Sequence, residues 1–472
     1  MRNLDLPRYP RTIRRPSRVE LPIEERARRP RRLRISSLPL LLLAGFGIAI
    51  LIGTVLLTLP ISSESGDWTS PVIALFVSTS AVCVTGLVPV DTATHWSGFG
   101  EAVILLLIQF GGLGFMTSTT LLFLLFGWRL GLRERLHLSQ SMDLSRIGGV
   151  VSLTRRAILF TLIIEAAGVA ILFARFVIDQ PVEQALWWSV FHSVSAFNNA
   201  GFDLTGGFQS LQGNADAVTL LTIGGLIVFG SIGFLVVGDV LHLNRNTRRL
   251  TADSVVVLRM TAILIVIGFL VFFVLESGNL LAGKNMPDRL LHSFFSSVSH
   301  RTAGFSALPI GEAQDETQFF TLGLMFVGGA SGSTAGGIKV ATLAVIVAAA
   351  FAAIRGREHA ELASREMPRA DVDRALAVVL LSALSVFVVA IALARLQDSV
   401  TFLPILFEAT SAFATNGLST GITPSLDDSS LLLLTATMYI GRLGPLTLVL
   451  ALVQRSAARE LRRLPEERVR IG

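Results

Sequence analysis

Four short stretches of this 472-residue chain carry the residue types that can hold a bare cation with peptide oxygens. They are Thr79–Leu87, Val194–Phe202, Ser297–Phe305 and Thr410–Leu418. Each is a run of small and hydroxyl-bearing residues followed by a glycine and a large apolar residue. The glycines, Gly86, Gly201, Gly304 and Gly417, lie 115, 103 and 113 residues apart, and a phenylalanine stands ten residues ahead of each: Phe76, Phe191, Phe294 and Phe407. A near-constant period of this size means one structural unit used four times. Glycine accepts the φ > 0 backbone that turns successive carbonyls to one side. The Ser and Thr hydroxyls can hold such a loop or add oxygen ligands. No stretch contains an acid, so a carboxylate ring of the divalent-ion type is disfavoured.

The elements that must position these stretches are helices in a membrane. The chain is 51% hydrophobic and only 16% charged, against about 25% charged in soluble domains, and its apolar runs reach the roughly 20 residues needed to cross a bilayer. In each unit a long apolar run precedes a short one. Pro71–Val82, Glu183–Phe197, Pro287–His300 and Thr401–Phe413 are too short to cross, and each leads into its glycine motif before a second long run follows. The first long run, Leu38–Pro60, is too long for a signal-peptide h-region. Basic residues cluster in alternate loops (Arg129, Arg133, Arg135 and Arg146; Arg245, Arg248 and Arg249; Arg355, Arg357 and Arg365; Arg455 and Arg459), and acids such as Glu64, Asp91, Asp203, Asp315 and Asp427 lie in the others. The positive-inside rule therefore puts every basic loop and both termini in the cytoplasm and every motif on the other side. The reading is an all-α polytopic membrane protein of the plasma membrane: four helix–pore-loop–helix repeats around a central pore, with eight transmembrane and four re-entrant helices. Its parts are a basic cytoplasmic arm at 1–36 with twelve Arg, pore repeats at 37–135, 153–249, 256–356 and 372–455, and a cytoplasmic tail at 456–472.

A helix that stops halfway across a bilayer is tolerated only where its freed backbone groups face protein or a watery path. Here each short helix comes before its motif, so the C-terminal end, which carries the negative end of the helix dipole, abuts the motif. Four such ends on one axis favour a cation and oppose an anion. Carbonyl rings in place of a hydration shell are the known device for K⁺. The four motifs resemble the filter sequences of the Trk/Ktr/HKT superfamily of K⁺ transport proteins. SAVCVTGL, SAFNNAGF, HRTAGF and TNGLSTG carry the likeness, which covers about residues 38–455. With eight spans and no extra N-terminal pair, the chain looks most like the Ktr membrane subunit. The resemblance implies that Gly86, Gly201, Gly304 and Gly417 are filter glycines and that Val84 and Thr85, Asn199 and Ala200, Thr302 and Ala303, and Thr415 and Asn416 supply the neighbouring carbonyls. K⁺ would be the permeant ion at the filter, with Na⁺ discriminated less well than by longer K⁺-channel filters.

The second spanning helix of each unit carries a glycine cluster midway, at Gly111–Gly114, Gly230–Gly233, Gly328–Gly332 and Gly441–Gly444; in the first, second and fourth units it reads either as an interruption or as close helix–helix packing by small residues. The third interruption extends from Gly328 through Gly329, Ala330, Ser331, Gly332, Ser333, Thr334, Ala335 and Gly336 to Gly337. Five glycines in ten residues, each costing roughly 1 kcal/mol relative to Ala, should not stay helical. This stretch reads as an intramembrane loop in the permeation path and a candidate gate, a role the resemblance also implies. It is no nucleotide P-loop, because Lys339 follows Ile338 and no strand precedes it. Arg442, in an apolar run, stands in register with Gly329 and reads as a partner of this loop. Glu165 reads as an interhelical polar group or part of a coupling-ion site, and the histidines lack metal-ligand spacing.

An ion-coupled secondary transporter of another substrate would instead aim helix N-termini at a midplane site between inverted repeats. An enzyme would need a convergent polar set at depth. Neither pattern is present in the sequence, and the lone Cys83 can form neither an intrachain disulfide nor a metal cluster. The net charge of +6 follows membrane topology and is no nucleic-acid signal. The resemblance further implies a homodimer in membrane lipid, with nucleotide acting only through a separate cytoplasmic ring of nucleotide-binding RCK subunits.

Overall fold

A computed structural model describes residues 38–127, 147–242, 250–357 and 359–444. The arm at 1–36, the arginines from Arg129 to Arg146 and from Arg245 to Arg249, and the chain beyond residue 444 lie outside the described residues. The regular elements of the described chain are helices apart from an antiparallel hairpin of β1 (Glu361–Leu362) and β2 (Arg365–Glu366). The first unit comprises α1 (Leu38–Thr58), α2 (Pro71–Val82) and α3 (Gly98–Gly127). The second comprises α4 (Ile147–Phe176), α5 (Val182–Phe197), α6 (Ala217–Ile232) and α7 (Phe234–His242). The third has α8 (Ala252–Leu275), α9 (Met286–Thr302), α10 (Asp315–Phe326) and α11 (Val340–Ile354). The fourth has α12 (Arg369–Leu396), α13 (Phe402–Ala414) and α14 (Asp428–Leu443).

Local chemistry sets several of these boundaries. Thr251, Asn285 and Asp427 accept the amides of Ser254, Asp288 and Ser430 at the starts of α8, α9 and α14, caps that typically contribute about 1 kcal/mol each. Among the described residues, Gly98–Met116, Thr154–Phe176, Ala252–Gly278 and Arg369–Leu396 are each long and apolar enough to cross a membrane, and the α6–α7 pair, bent by 93°, passes the same test as one unit. The 12 residues of α2 and 13 of α13 reach only about 18–20 Å at 1.5 Å per residue.

The units close on themselves. Each short helix packs against its own unit's flanking helices and against the second long helix of the unit before it: α5 meets α3, α9 meets α6, α13 meets α10 and α2 meets α14. Serines fix the depth of three short helices. Ser78, Ser193 and Ser297 donate to the carbonyls of Ile50, Glu165 and Ile265 at 2.7–2.8 Å. Opposite them stand Gly53, Gly168 and Gly268, where a Cβ would run into the serine.

Two expectations are corrected here. The first concerns an interruption at Gly111–Gly114. α3 runs unbroken through Gly111–Gly114. There glycine serves close approach: a Cβ on Gly111 would collide with the Val82 carbonyl, and one on Gly112 with the Asn198 side chain. Gly230 and Gly441 stand in the same way against the carbonyls of Phe197 and Phe413. The helices of the second and fourth units do end within the stretches expected, at Gly233 (φ 80°) after α6 and Gly444 (φ 78°) after α14.

The second concerns the phenylalanine count. Phe76, Phe191 and Phe407 are fully buried ten residues ahead of their glycines, but in the third unit the fully buried ring is Phe295, nine ahead, with Phe294 only partly buried. The reason is a missing residue. In the other units a left-handed residue lies between helix and glycine; in the third, α9 runs straight on to Thr302.

Candidate functional site

The four glycine turns meet. Gly86, Gly201, Gly304 and Gly417 have φ of 98°, 72°, 76° and 94°. A Cβ on Gly86 would collide with the carbonyl oxygen of Ala200, and one on Gly201 would crowd that of Ala303. One on Gly304 would collide with the oxygen of Asn416, and one on Gly417 with that of Thr85. Each glycine therefore lies against the carbonyl that precedes the next glycine, and the fourth contact returns to the first unit. The result is a closed ring in the same order as the helix packing.

Backbone capping turns these carbonyls away from the helices. Each short helix ends with an amide reaching back five residues: Thr85 to Ser80 (2.7 Å), Ala200 to Ser195 (2.8 Å), Asn416 to Ser411 (3.0 Å) and, more loosely, Gly304 to Ser299 (3.3 Å). In the first, second and fourth units the residue before that amide is left-handed: Val84 (φ 55°), Asn199 (φ 59°) and Thr415 (φ 49°). This is the 6→1 Schellman closure, unusual here in using non-glycine residues. A β-branched residue at φ > 0 is costly and persists only when its surroundings impose it. The serines brace the same turns. Ser80 and Ser411 accept the Gly86 and Gly417 amides at 3.0 and 3.1 Å, while Ser195 and Ser299 donate to the Phe202 and Phe305 carbonyls. Among the described residues the carbonyl oxygens of Thr85, Ala200, Ala303 and Asn416 accept no hydrogen bond. A ring of free peptide oxygens, backed by helix C-termini, suits a desolvated cation and repels an anion.

The glycine-rich stretch between α10 and α11 is irregular and almost wholly buried. A single parallel bridge, Val327 to Ile338, closes its base. Its crest reaches into two other units. The amides of Ala330 and Thr334 donate to the carbonyls of Ser231 (2.8 Å) and Gly230 (3.3 Å). The Thr334 hydroxyl donates to the Phe197 carbonyl (3.2 Å) and accepts from Asn199 Nδ2 (2.7 Å), whose Oδ1 in turn takes the Thr302 hydroxyl (3.0 Å). A Cβ on Gly336 would collide with Thr415 and the Ala414 carbonyl. Arg442, 1% exposed, donates from Nη1 to the Thr334 carbonyl at 2.7 Å. The residues singled out in the sequence, from Val84 to Gly417 and from Gly328 to Gly337 with Arg442, are therefore one contiguous cluster in which the loop touches the glycine turns.

Most of the remaining polar residues lie elsewhere, Arg301 excepted. Glu165 accepts from Gln109 Nε2 and Asn198 Nδ2, both at 3.1 Å, in a buried cluster linking α3, α4 and the end of α5. Glu408 accepts from Ser419, Thr423 and the Thr420 amide and so fixes the segment after the fourth glycine. His192 and His292 bond through Nδ1 to carbonyls one turn back. Among the described residues no group of three metal-binding side chains occurs. Arg301, 1% exposed in the last turn of α9, donates to Ser231 Oγ at 2.9 Å. Sequence reasoning passed over it, although a basic residue three places before a filter-type glycine is itself a signal.

The profile of the family described as TrkH, cation transport protein, matches residues 44–459. The chain belongs to the TrkH cation transport protein family. Relatives of this TrkH-family chain include the potassium/sodium uptake protein NtpJ of Enterococcus hirae, 37% identical and covering 92% of this chain and 96% of that protein. The Ktr system potassium uptake protein B of Bacillus subtilis is 40% identical over 87% of this chain and 92% of its own length. Among solved structures, the potassium transporter TrkH from Vibrio parahaemolyticus superposes with a TM-score of 0.70, covering 88% of this chain and 86% of that one at 18% identity, which shows a shared TrkH-like fold.

Proposed function

We propose that this chain carries K⁺ into the cell through a single cation pore whose selectivity filter is the ring of Thr85–Gly86, Ala200–Gly201, Ala303–Gly304 and Asn416–Gly417. The carrying observation is the closed four-step ring, each glycine against the next unit's unbonded carbonyl. One coordination layer of this kind strips part of an alkali ion's hydration and offers less contrast between K⁺ and Na⁺ than a stack of several layers. That fits relatives named for potassium and for potassium/sodium uptake.

The glycine-rich loop from Gly328 to Gly337 is the gate on this reading, with Arg442 as its latch. The loop bonds directly to Asn199 and to Phe197, at the end of the second short helix, and crowds Thr415. Arg442 adds a buried positive charge to a path for cations, which raises the barrier while the loop is closed. The chain works on this reading as a plasma-membrane protein with eight spans, four re-entrant helices and both termini cytoplasmic. Its partners are membrane lipid, a second copy, and a cytoplasmic nucleotide-binding RCK ring that opens the gate. The Ktr system name of the Bacillus relative supports a multicomponent assembly.

The test is K⁺ uptake by cells lacking their own K⁺ uptake systems, with the chain expressed alone and with a cytoplasmic partner. Restored uptake that shifts toward Na⁺ when each glycine of the ring is changed to serine is the expected result. Uptake that is absent in both settings, or whose ion preference ignores all four changes, would sink the reading.

A further inference from the structure

Two cations and one ring meet beneath the crest of the loop, and the proposed pore does not by itself account for them. Lys339 stands just before α11 and turns back, so that its Nζ donates to the Ala335 carbonyl at 2.7 Å. Arg442, from α14, donates to the adjacent Thr334 carbonyl at 2.7 Å. Both lie over the ring of Phe115 in α3, with Lys339 Nζ 5.0 Å and Arg442 Cζ 4.3 Å from its centroid. Among the described residues neither cation is in an ion pair. Two like charges are thus held together with no carboxylate paired to them among the described residues, in a half-buried to buried site. What offsets their repulsion is the pair of carbonyl dipoles and the negative face of the shared ring.

We propose that Phe115, Lys339 and Arg442 form one latch for the closed loop, with Phe115 as the aromatic seat that lets two cations grip consecutive carbonyls. The proposal rests on the loop being the gate. Its three members come from the first, third and fourth units, so the latch ties the loop across the pore. Lys339 and Phe115 are positioning residues: they act on the ion path by holding Thr334 and Ala335. Without the ring, the carbonyl dipoles alone offset the repulsion between the cations, and the grip on the two carbonyls loosens together. Without both cations, the ring has nothing to seat.

The experiment measures tracer rubidium flux through the full-length chain in liposomes without a cytoplasmic partner, using Phe115→Leu, Lys339→Met, Arg442→Gln, the Lys339→Met/Arg442→Gln double and the triple variant, each normalised to folded protein by size-exclusion chromatography. Each single change is expected to raise basal flux by about two- to thirty-fold, the population shift that cation–π energies correspond to. The effects should be non-additive, so that Phe115→Leu adds nothing once both cations are gone. Should Phe115→Leu not fold, Phe115→Met replaces it in the same comparison. A rise for Arg442→Gln with no change for Phe115→Leu and Lys339→Met overturns the latch and leaves the gate standing. No change in any of the three overturns the gate, and the latch with it. A rise from Phe115→Leu that persists in full without the cations assigns the ring to packing and overturns the latch alone.

Discussion

The side-chain amide of Asn199 lies 2.7 Å from the hydroxyl of Thr334, joining the second glycine turn to the crest of the glycine-rich loop 135 residues later. Asn199 is itself left-handed (φ 59°) and its other side-chain atom is held by Thr302 of the third unit. One asparagine thus spans one glycine turn, its neighbour and the loop. A buried amide left without its partner costs about 1–3 kcal/mol, so loop displacement and strain in the ring are coupled.

Thr334→Val keeps the shape of the side chain and removes both of its hydrogen bonds. Basal ion flux should rise about three- to tenfold, in line with loss of one or two net hydrogen bonds. Rubidium uptake into liposomes, compared at equal folded protein, checks this; unchanged flux would mean that the bond does not restrain the loop.

Gly86→Ser and Gly417→Ser place a Cβ against the carbonyls of Ala200 and Thr85. Both residues also need φ > 0, where a side chain costs roughly 1–2 kcal/mol. The expected outcome is a loss of K⁺ preference over Na⁺ of about tenfold or more, since ring size sets the contrast. Competition between the two ions in an uptake assay measures it. Gly98→Ser, where nothing lies within 4 Å, is the matched control.

Glu165→Leu leaves Gln109 Nε2 without its acceptor and removes one of three acceptors from Asn198 Nδ2, which keeps Gln109 Oε1 and the Val194 carbonyl. Stability should fall by about 1–3 kcal/mol, seen as a lower melting midpoint in detergent by tryptophan fluorescence, with Glu165→Gln falling less. An unchanged midpoint for Glu165→Leu would show that the cluster contributes nothing to the fold.

Gly111→Val would drive a branched side chain into the backbone of Val82 at the end of α2. Because backbone cannot step aside as a flexible side chain does, little monodisperse protein is expected, whereas Gly45→Ala, in open space, should behave as wild type. Yield and elution profile after detergent extraction decide it.

The sequence made the four-unit plan readable because glycine spacing and apolar run length are one-dimensional signals. The break at Gly328–Gly337 was readable for the same reason: five glycines outweigh any helical period. Other features depend on what a residue faces. Gly111 and Gly230 look alike in sequence, yet α3 continues through the first and α6 bends shortly after the second, since only Gly233 takes a positive φ. The one-residue deletion in the third unit was hidden by consecutive phenylalanines, Phe294 and Phe295, which satisfied the count in either register. Lys339 and Phe115 carried no local signal at all; their meeting with Arg442 is a product of three units folding together.

The ring's four walls are strung on one polypeptide, and the third is built without a left-handed residue and with Arg301 behind it. An ion seated there would feel unequal quadrants. Because each quadrant has its own codons, the ring proposed as the pore could be retuned one quarter at a time, a finer dial than a pore of four identical subunits allows, where every substitution arrives in quadruplicate.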